Sequence, residues 1–542
     1  MTERPFAITL DVGTSLANRT GAWRTERPVY VDRMPPCNDA CPAGENAQAW
    51  LALAEEGRYQ EAWRQVVEDN PFPAVMGRVC YHPCQTACNR ATLDETVGIH
   101  AVERFLGDEA IRAGWPLPGP ASATGRRVLV VGAGPAGLSA AYHLRRAGHE
   151  VVVMDGSATP GGMLRHGIPR YRLPRPVLDA EVERLLATGV ELRPATTVTD
   201  LRATMAEGGF DAAFVAVGAS LAANAYVPAG DSARVLDALS LLAATEAGDP
   251  PALGRRVAVY GGGDTAVDAA RTARRLGATE PLIVYRRTRE RMPAHEEEVE
   301  AAEAEGVRLR WLSTIARAER GSVTVEEMAL DDTGFPRPTG RTQRLGADTV
   351  VLALGERADL SLFDGLDGVR TGDGVVRAGH DGSTGAPGVF AGGDVVEGER
   401  TVTNAVGRGK AGARAIDAWL GGPSPERPPR PGLAVAERLN TWYYADAPAS
   451  VEQRLTAARR ASGFDEVVRG LDESTALYEA RRCLSCGNCF ECDNCYGVCP
   501  DNAVVKLGTG SRYRIDYDYC KGCGLCAREC PCGAIDMVPE PI

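Results

Sequence analysis

Between residues 126 and 155 the chain changes hydrophobic rhythm twice. The β-branched run Val128 to Val131 ends in a cluster of glycines. An Ala/Leu-rich stretch with helical spacing follows, and a second apolar run, "EVVVM", stops at Asp155. Strand, glycine turn, helix and strand predict a βαβ unit. The rhythm returns at Arg255 in "RRVAVYGGGDTAVDAARTARRLGATEPLIVYRR". A third segment, "PGVFAGGDVVEGERTVTNAVGRGKAGARAID", predicts a strand, a turn at Gly392-Gly393-Asp394 and a helix from near Thr403. Two Pro/Gly-rich stretches, "WPLPGPASATG" and "GGPSPERPPRPG", read as linkers, and the chain from the second of them to "ALYEARR" as a helical connector. No stretch approaches the apolar length that crosses a bilayer.

The turns carry chemistry. Gly132, Gly134 and Gly137 form a dinucleotide fingerprint, in which glycines allow a tight turn and close backbone approach while the helix N-terminus faces a pyrophosphate. Asp155, at the end of the second strand, suits a ribose hydroxyl. In the second unit Gly261, Gly263 and Ala266 take the same places, but the following strand ends in Arg286 and Arg287 with no acid. Paired arginines there can hold a 2′-phosphate, which favours NADP(H) over NAD(H); the plainer alternative is a solvated strand end. Arg291 is a third candidate. Two such units describe a flavoprotein reductase, with FAD in the first and NADP(H) in the second. Gly162, Gly393 and Asp394 are assigned to the flavin, Asp394 toward the ribityl hydroxyls, with an ordinary turn and cap as the alternative. The flavin domain is then discontinuous, with the NADP(H) domain inserted into it.

Length and composition fit this picture. The 542 residues call for roughly three or four domains, and 44% hydrophobic with 24% charged residues is the balance of a folded soluble protein. A formal net charge of −12 argues against a nucleic-acid partner. The start, "MTERPFAITLDVGTS", lacks a secretory pattern, so a cytoplasmic location is expected.

Cysteine changes the picture most. Of 16 cysteines, five lie between Cys37 and Cys88 and eleven between Cys483 and Cys532, with none between. A reducing compartment disfavours disulfides, and clustered thiols at both ends suggest iron–sulfur caps on the nucleotide-binding core. The run Cys520, Cys523, Cys526, Cys530, Pro531 has the C-x2-C-x2-C-x3-C-P spacing of a two-cluster ferredoxin. In the earlier run only Cys489, Cys492, Cys495, Cys499, Pro500 ends correctly. The fourth cysteine of each run serves the other cluster, so one set is Cys489, Cys492, Cys495 and Cys530, and the other Cys520, Cys523, Cys526 and Cys499. A zinc ribbon would use four cysteines and would not repeat the Cys-Pro. Cys532 reads as a packed thiol, and His82 as packing beside cysteines that already suffice.

The segments "GGMLRHGIPRYRLPRPVLDAEVERL", "GGGDTAVDAARTARRLGA" and "VYRRTRERMPA" resemble the NADPH-oxidising small subunit of bacterial glutamate synthase, with related modules in dihydropyrimidine dehydrogenase and electron-bifurcating transhydrogenases. The resemblance covers about Pro35 to Ile416 and implies FAD, NADP(H) and an N-terminal helical domain with two iron–sulfur clusters. Carried over residue by residue, it implies one cluster on Cys41, Cys80, Cys84 and Cys88. The other would use Cys37, Glu103 and a C-x2-C pair that does not precede Cys37. The family phrase around that pair resembles "EARRCLSCG", which here occurs at Glu479 to Gly487, so Cys483 and Cys486 are expected to complete the site, in the same chain or across a dimer. The alternative is that Cys37, Cys483 and Cys486 are unused thiols. The C-terminus, "IDYDYCKGCGLCARECPCGAIDMVPE", is similar to the delta subunit of 2-oxoacid:ferredoxin oxidoreductases over about 60 residues.

The expected architecture is multidomain α/β. It comprises an N-terminal helical iron–sulfur domain (1–124), a flavin domain in two parts (125–243 and 386–430), an NADP(H) domain (244–385), a helical connector (431–480) and a two-cluster ferredoxin domain (481–542). The expected function is electron transfer between NADP(H) and a ferredoxin or the catalytic subunits of a 2-oxoacid:ferredoxin oxidoreductase, within an oligomeric complex and away from membranes. A glutamate synthase small subunit, a free-standing NADPH:ferredoxin reductase and a non-catalytic redox sensor are the alternatives. No catalytic acid, base or nucleophile is nominated.

Overall fold

The computed structural model describes residues 19–222, 227–230, 234–423 and 430–540. The start of the chain, read above for a leader, and the middle of the second linker lie outside the described residues. Among them, no helix is long and apolar enough to cross a membrane.

Two five-stranded parallel sheets form the core. The first runs in the order Val389–Ala391, Ala212–Val215, Arg127–Val131, Glu150–Met154, Glu191–Arg193. Its central strand reads as an unbroken apolar run because both faces are covered, and Val128, Leu129 and Val130 are fully buried. Helix Pro135–Arg146 leaves the glycine turn and packs along Val402–Trp419. A Cβ at Gly409 would stand 2.3 Å from the Ala136 carbonyl oxygen, so the two helices meet backbone to backbone. The second sheet runs Arg308–Arg310, Glu280–Val284, Arg256–Gly261, Thr349–Ala353, Val235–Asp237. A three-stranded antiparallel sheet, residues 313–346, is appended to it.

The domain boundaries move at three places. Val235–Asp237 pairs with Thr349–Ala353, so the nucleotide domain begins before residue 244. Ala358, Phe363 and Val376 pack on Leu129 and Val152 of the first sheet, so the chain has returned to the flavin domain well before residue 386. The largest shift is at the N-terminus. Glu26–Tyr30 pairs antiparallel with Ile535–Pro539, which makes it a strand of the C-terminal ferredoxin unit, not of the helical domain. Arg24 locks it there with a two-pronged ion pair to Glu540 at 2.6 and 2.7 Å and bonds to the Tyr517 and Cys520 carbonyls. The unit's other hairpin joins Val504–Lys506 to Tyr513–Ile515.

The helical domain is built on Ala47–Glu55, Tyr59–Val67, Pro73–Val79 and Ile99–Ala113 around Trp50, Trp63, Phe72 and Leu106. The connector departs from its helical expectation: its α-helices among the described residues are Ala457–Ser462 and Glu473–Ala480, and the rest crosses the surface in extended form and short 3-10 turns. Helix Glu473–Ala480 joins the N-terminal helices, burying Ala476 and Ala480 in their core. The flavin and nucleotide domains meet at buried ion pairs. Arg172 reaches Asp268 at 2.8 Å and Glu298 at 2.9 Å, and Arg275 lies over the Tyr171 ring while pairing with Glu305. Each of these buried charges is met by an opposite one, the condition under which such a seam is stable.

Candidate functional site

The first glycine turn opens on a cavity of about 390 Å³ lined by Gly132, Gly134, Asp155, Gly162, His166, Gly393, Asp394 and Ala405. Gly132 has φ +105°, and a Cβ at Gly137 would stand 1.9 Å from the Gly132 carbonyl oxygen. Only glycine permits that approach of helix to strand. Asp155 accepts hydrogen bonds from Ala133 N (2.6 Å) and Ser157 N (2.7 Å), which hold the turn against the strand end. Burial raises the Asp394 pKa. His166 Nε2 is buried at the cavity wall with no hydrogen-bond partner among the described residues, a polar atom that an occupant can satisfy. Glycine cradle, acid and orphaned nitrogen fit a flavin dinucleotide.

The second turn opens on a cavity of about 580 Å³ lined by Gly261, Gly263, Tyr285, Arg286, Arg287, Leu354 and Glu356. Gly261 has φ +153°, and a Cβ there would meet the Ala353 carbonyl oxygen at 2.1 Å. Ala266 is fully buried in the helix behind the turn. Arg286 is exposed and Arg287 half-buried. Among the described residues neither is engaged in an ion pair, whereas neighbouring Arg289 is taken up by Glu296 and Glu303. Arg291 is exposed, and its carbonyl accepts from Tyr285 Oη at 2.6 Å. Two uncommitted guanidinium groups at the cavity edge suit a phosphate.

The N-terminal thiols fall into two groups. Burial pushes Cys37 up to about 12, with Cys88 and Cys486 adding to the rise. Cys483 is raised well above its ordinary value by burial, then by Cys37, Cys486 and Cys88. These four are mutual neighbours. In the second group burial raises Cys41, Cys80 and Cys84, and Glu103 and Glu45 act on all three. Asn70 Nδ2 donates to Glu45 (3.0 Å) and Glu103 (2.9 Å), holding both buried carboxyls beside the thiols. This corrects the sorting carried over from the resemblance: Cys88 stands with Cys37, Cys483 and Cys486, and Glu103 with Cys41, Cys80 and Cys84. The reason lies in the local chain. Cys88 ends a short turn beside Asn89, which reaches Cys486, while Glu103 faces inward from Ile99–Ala113 toward Asn70.

Cys483 is brought there by its neighbours in sequence. Arg482 is 2% exposed, and its guanidinium bonds the carbonyls of Glu95, Thr96 and Ala447 at 2.7, 2.8 and 3.0 Å. Glu479 accepts from Gly98 N at 2.6 Å and Ser450 N at 2.8 Å and pairs with Arg482.

In the ferredoxin unit Cys489, Cys492, Cys495 and Cys530 are mutual neighbours; Cys520 has Cys499 and Cys523 beside it, and Cys526 lies beside Cys520 and Cys523. Cys532 is buried with its sulfur 3.6 Å from that of Cys530. Among the described residues no three His, Cys, Asp or Glu side chains converge on a single-ion site. His82 stacks on His100 at 3.8 Å, and burial drives its pKa down to about 2, so it is a neutral packing group.

Sequence reasoning missed the residues that touch these thiols from afar. Thr403 Oγ1 donates to Cys80 Sγ at 3.0 Å, and Tyr30 Oη lies 3.3 Å from Cys495 Sγ. Glu45, four residues after Cys41, carried a local signal; the tyrosine and threonine did not.

Residues 126–409 match the family described as pyridine nucleotide-disulphide oxidoreductase. Residues 17–115 match dihydropyrimidine dehydrogenase domain II, 4Fe-4S cluster, and 488–534 match the 4Fe-4S dicluster domain. The chain is 36% identical to NADP(+)-dependent formate dehydrogenase subunit beta of Moorella thermoacetica, over 83% of this chain and 70% of that one. It is 31% identical to NADPH-Fe(3+) oxidoreductase subunit beta of Geobacter sulfurreducens, over 84% and 76% respectively. It is 32% identical to the glutamate synthase [NADPH] small chain of Mycobacterium tuberculosis, over 73% and 88%.

Proposed function

We infer that this chain, which belongs to the pyridine nucleotide-disulphide oxidoreductase family and is an FAD- and NADP(H)-linked iron–sulfur oxidoreductase, passes electrons between NADP(H) and a catalytic subunit or a ferredoxin through four [4Fe-4S] sites. The carrying observation is one helix. Val402–Trp419 presents Ala405 to the flavin cavity and Thr403 to Cys80, so the same turn of backbone borders that cavity and the group of Cys41, Cys80 and Cys84.

When bound, the flavin exchanges hydride with nicotinamide and single electrons with the clusters, which is why both belong in one chain. The protein's residues supply the rest. Gly132, Gly134 and Gly137 admit the flavin pyrophosphate to the helix N-terminus, and Asp155 holds the turn that receives it. Arg286 and Arg287 orient the nucleotide by its 2′-phosphate. Cys41, Cys80, Cys84 and Glu103 hold the cluster nearest the flavin, and Cys37, Cys88, Cys483 and Cys486 the next. Cys486 and Cys489 are three residues apart, so the second site runs directly into the ferredoxin unit.

Thr403→Val is expected to lower the midpoint potential of the cluster nearest the flavin, because an O–H donor to a ligand sulfur favours the more negative, reduced state. EPR-monitored redox titration checks it. An unchanged set of midpoints would remove Cys80 from the cluster path.

The ferredoxin unit's likeness to a 2-oxoacid oxidoreductase subunit supports a 2-oxoacid-oxidising partner. A second reading, a formate-oxidising partner, is favoured by the similarity to the Moorella protein. The native protein, purified anaerobically at low salt, distinguishes them by mass spectrometry. A thiamine-diphosphate-dependent subunit establishes the first reading and a formate dehydrogenase catalytic subunit the second. A glutamine-dependent large subunit overturns both. In the same preparation the flavin band is expected to bleach on anaerobic NADPH, and failure to bleach would make the chain a sensor or scaffold.

A further inference from the structure

The two thiol groups of the ferredoxin unit are close to symmetric in their backbone surroundings. Ala503 N donates to Cys499 Sγ at 3.2 Å, and Ala534 N to Cys530 Sγ at 3.3 Å. Each group also has an arginine nearby, Arg512 beside Cys489 and Arg24 beside Cys520. Each arginine is paired with a carboxylate, Asp32 and Glu540 respectively, so charge does not separate the groups.

Side-chain donors do separate them. Tyr30 Oη lies 3.3 Å from Cys495 Sγ. A cysteine bound to iron is a thiolate and can only accept, so the phenol donates. Cys532 Sγ, 3.6 Å from Cys530 Sγ, is likewise placed to donate its S–H. Both contacts fall on the Cys489, Cys492, Cys495 and Cys530 group. Among the described residues the side-chain hydrogen bonds to the sulfurs of Cys499, Cys520, Cys523 and Cys526 include no counterpart to either. Tyr30 comes from the N-terminal strand, 459 residues before Cys489 in the sequence, and stacks on Tyr513 with ring centroids 6.5 Å apart.

We propose that Tyr30, with Cys532, makes the two ferredoxin clusters unequal by donating hydrogen bonds to the sulfurs of the inner one, which therefore has the higher reduction potential. Hydrogen bonds to ligand sulfurs are among the protein's controls on cluster potential. The inner cluster adjoins the N-terminal sites through Cys486 to Cys489, whereas the outer group includes the exposed Cys523. An electron shared by the pair therefore rests on the inner cluster, and exchange with a docked partner passes through the outer, lower-potential one.

The proposal rests on the cluster reading above, and its test separates the two. Iron per chain and EPR-monitored redox titration are compared for the native protein, Tyr30→Phe and Cys532→Ala, each as the full chain. Tyr30→Phe keeps the ring that stacks on Tyr513 and removes only the donor. The expected result is unchanged iron in both variants and a lowered midpoint for the higher-potential ferredoxin cluster in each, with the other ferredoxin midpoint unmoved. Unchanged midpoints with full iron, a shift of the lower-potential cluster, or shifts of different clusters in the two variants would overturn the proposal. Native protein lacking the ferredoxin iron would overturn the cluster reading itself, and the proposal with it.

Discussion

On the proposed ligand sets, Cys483→Ala is expected to remove one four-iron cluster, about four irons per chain, and to leave the other three sites filled. The side chain is buried among Cys37, Cys88 and Cys486, while the buried carboxyls Glu45 and Glu103 lie beside the other group. Glu103, the substitute ligand that the family resemblance offered it, is engaged with Asn70 beside Cys41, Cys80 and Cys84. Loss of one thiolate therefore leaves three ligands, and Glu103 is held away from the gap by Asn70. The fold around it is expected to persist, because Arg482 and Glu479 hold the segment through bonds that do not involve the cysteine. Iron analysis with EPR reads the outcome directly. Because the site lies between the flavin-side cluster and the ferredoxin unit, NADPH should still bleach the flavin while reduction of the ferredoxin clusters slows severely. If the variant keeps all its iron, Cys483 is a spare thiol and the electron path must skip this group.

Replacing both Arg286 and Arg287 with alanine is expected to abolish the preference for NADPH over NADH. A hydrogen bond to a charged group contributes about 1.5–3 kcal/mol, or roughly 10- to 150-fold per arginine in kcat/KM for NADPH. Arg286 is exposed and belongs at the low end; half-buried Arg287 belongs higher. NADH, which has no 2′-phosphate, should be used nearly as before, because Gly261, Gly263 and the helix N-terminus that receive the pyrophosphate are untouched. Steady-state kinetics with both nucleotides measures this. An equal loss for NADPH and NADH would mean that the arginines serve the fold of the strand end and not recognition.

What was legible in the sequence was local. Each nucleotide unit is a contiguous strand, turn and helix, and the glycines are required by contacts only a few residues away, as Gly137 against Gly132 shows. The two ferredoxin runs were legible for the same reason, since their spacings place thiols along one short stretch. The helical connector failed as an expectation because its conformation is set by the surface it crosses: Leu455 and Val467 are buried there without a helical repeat to announce it.

The sequence by itself determined the nucleotide cradles, the number of thiols at each end and the grouping of the ferredoxin cysteines, because those depend on short-range backbone geometry. Tertiary structure alone decided which N-terminal thiol joins which group, because Cys88 and Glu103 are only 15 residues apart and either could face either site until Asn70 and Asn89 position them. It also decided that residues 26–30 complete the ferredoxin unit and bring Tyr30 to Cys495. That contact is made by strand pairing and ion pairs between the two ends of the chain, and such long-range partners leave no periodicity in either segment.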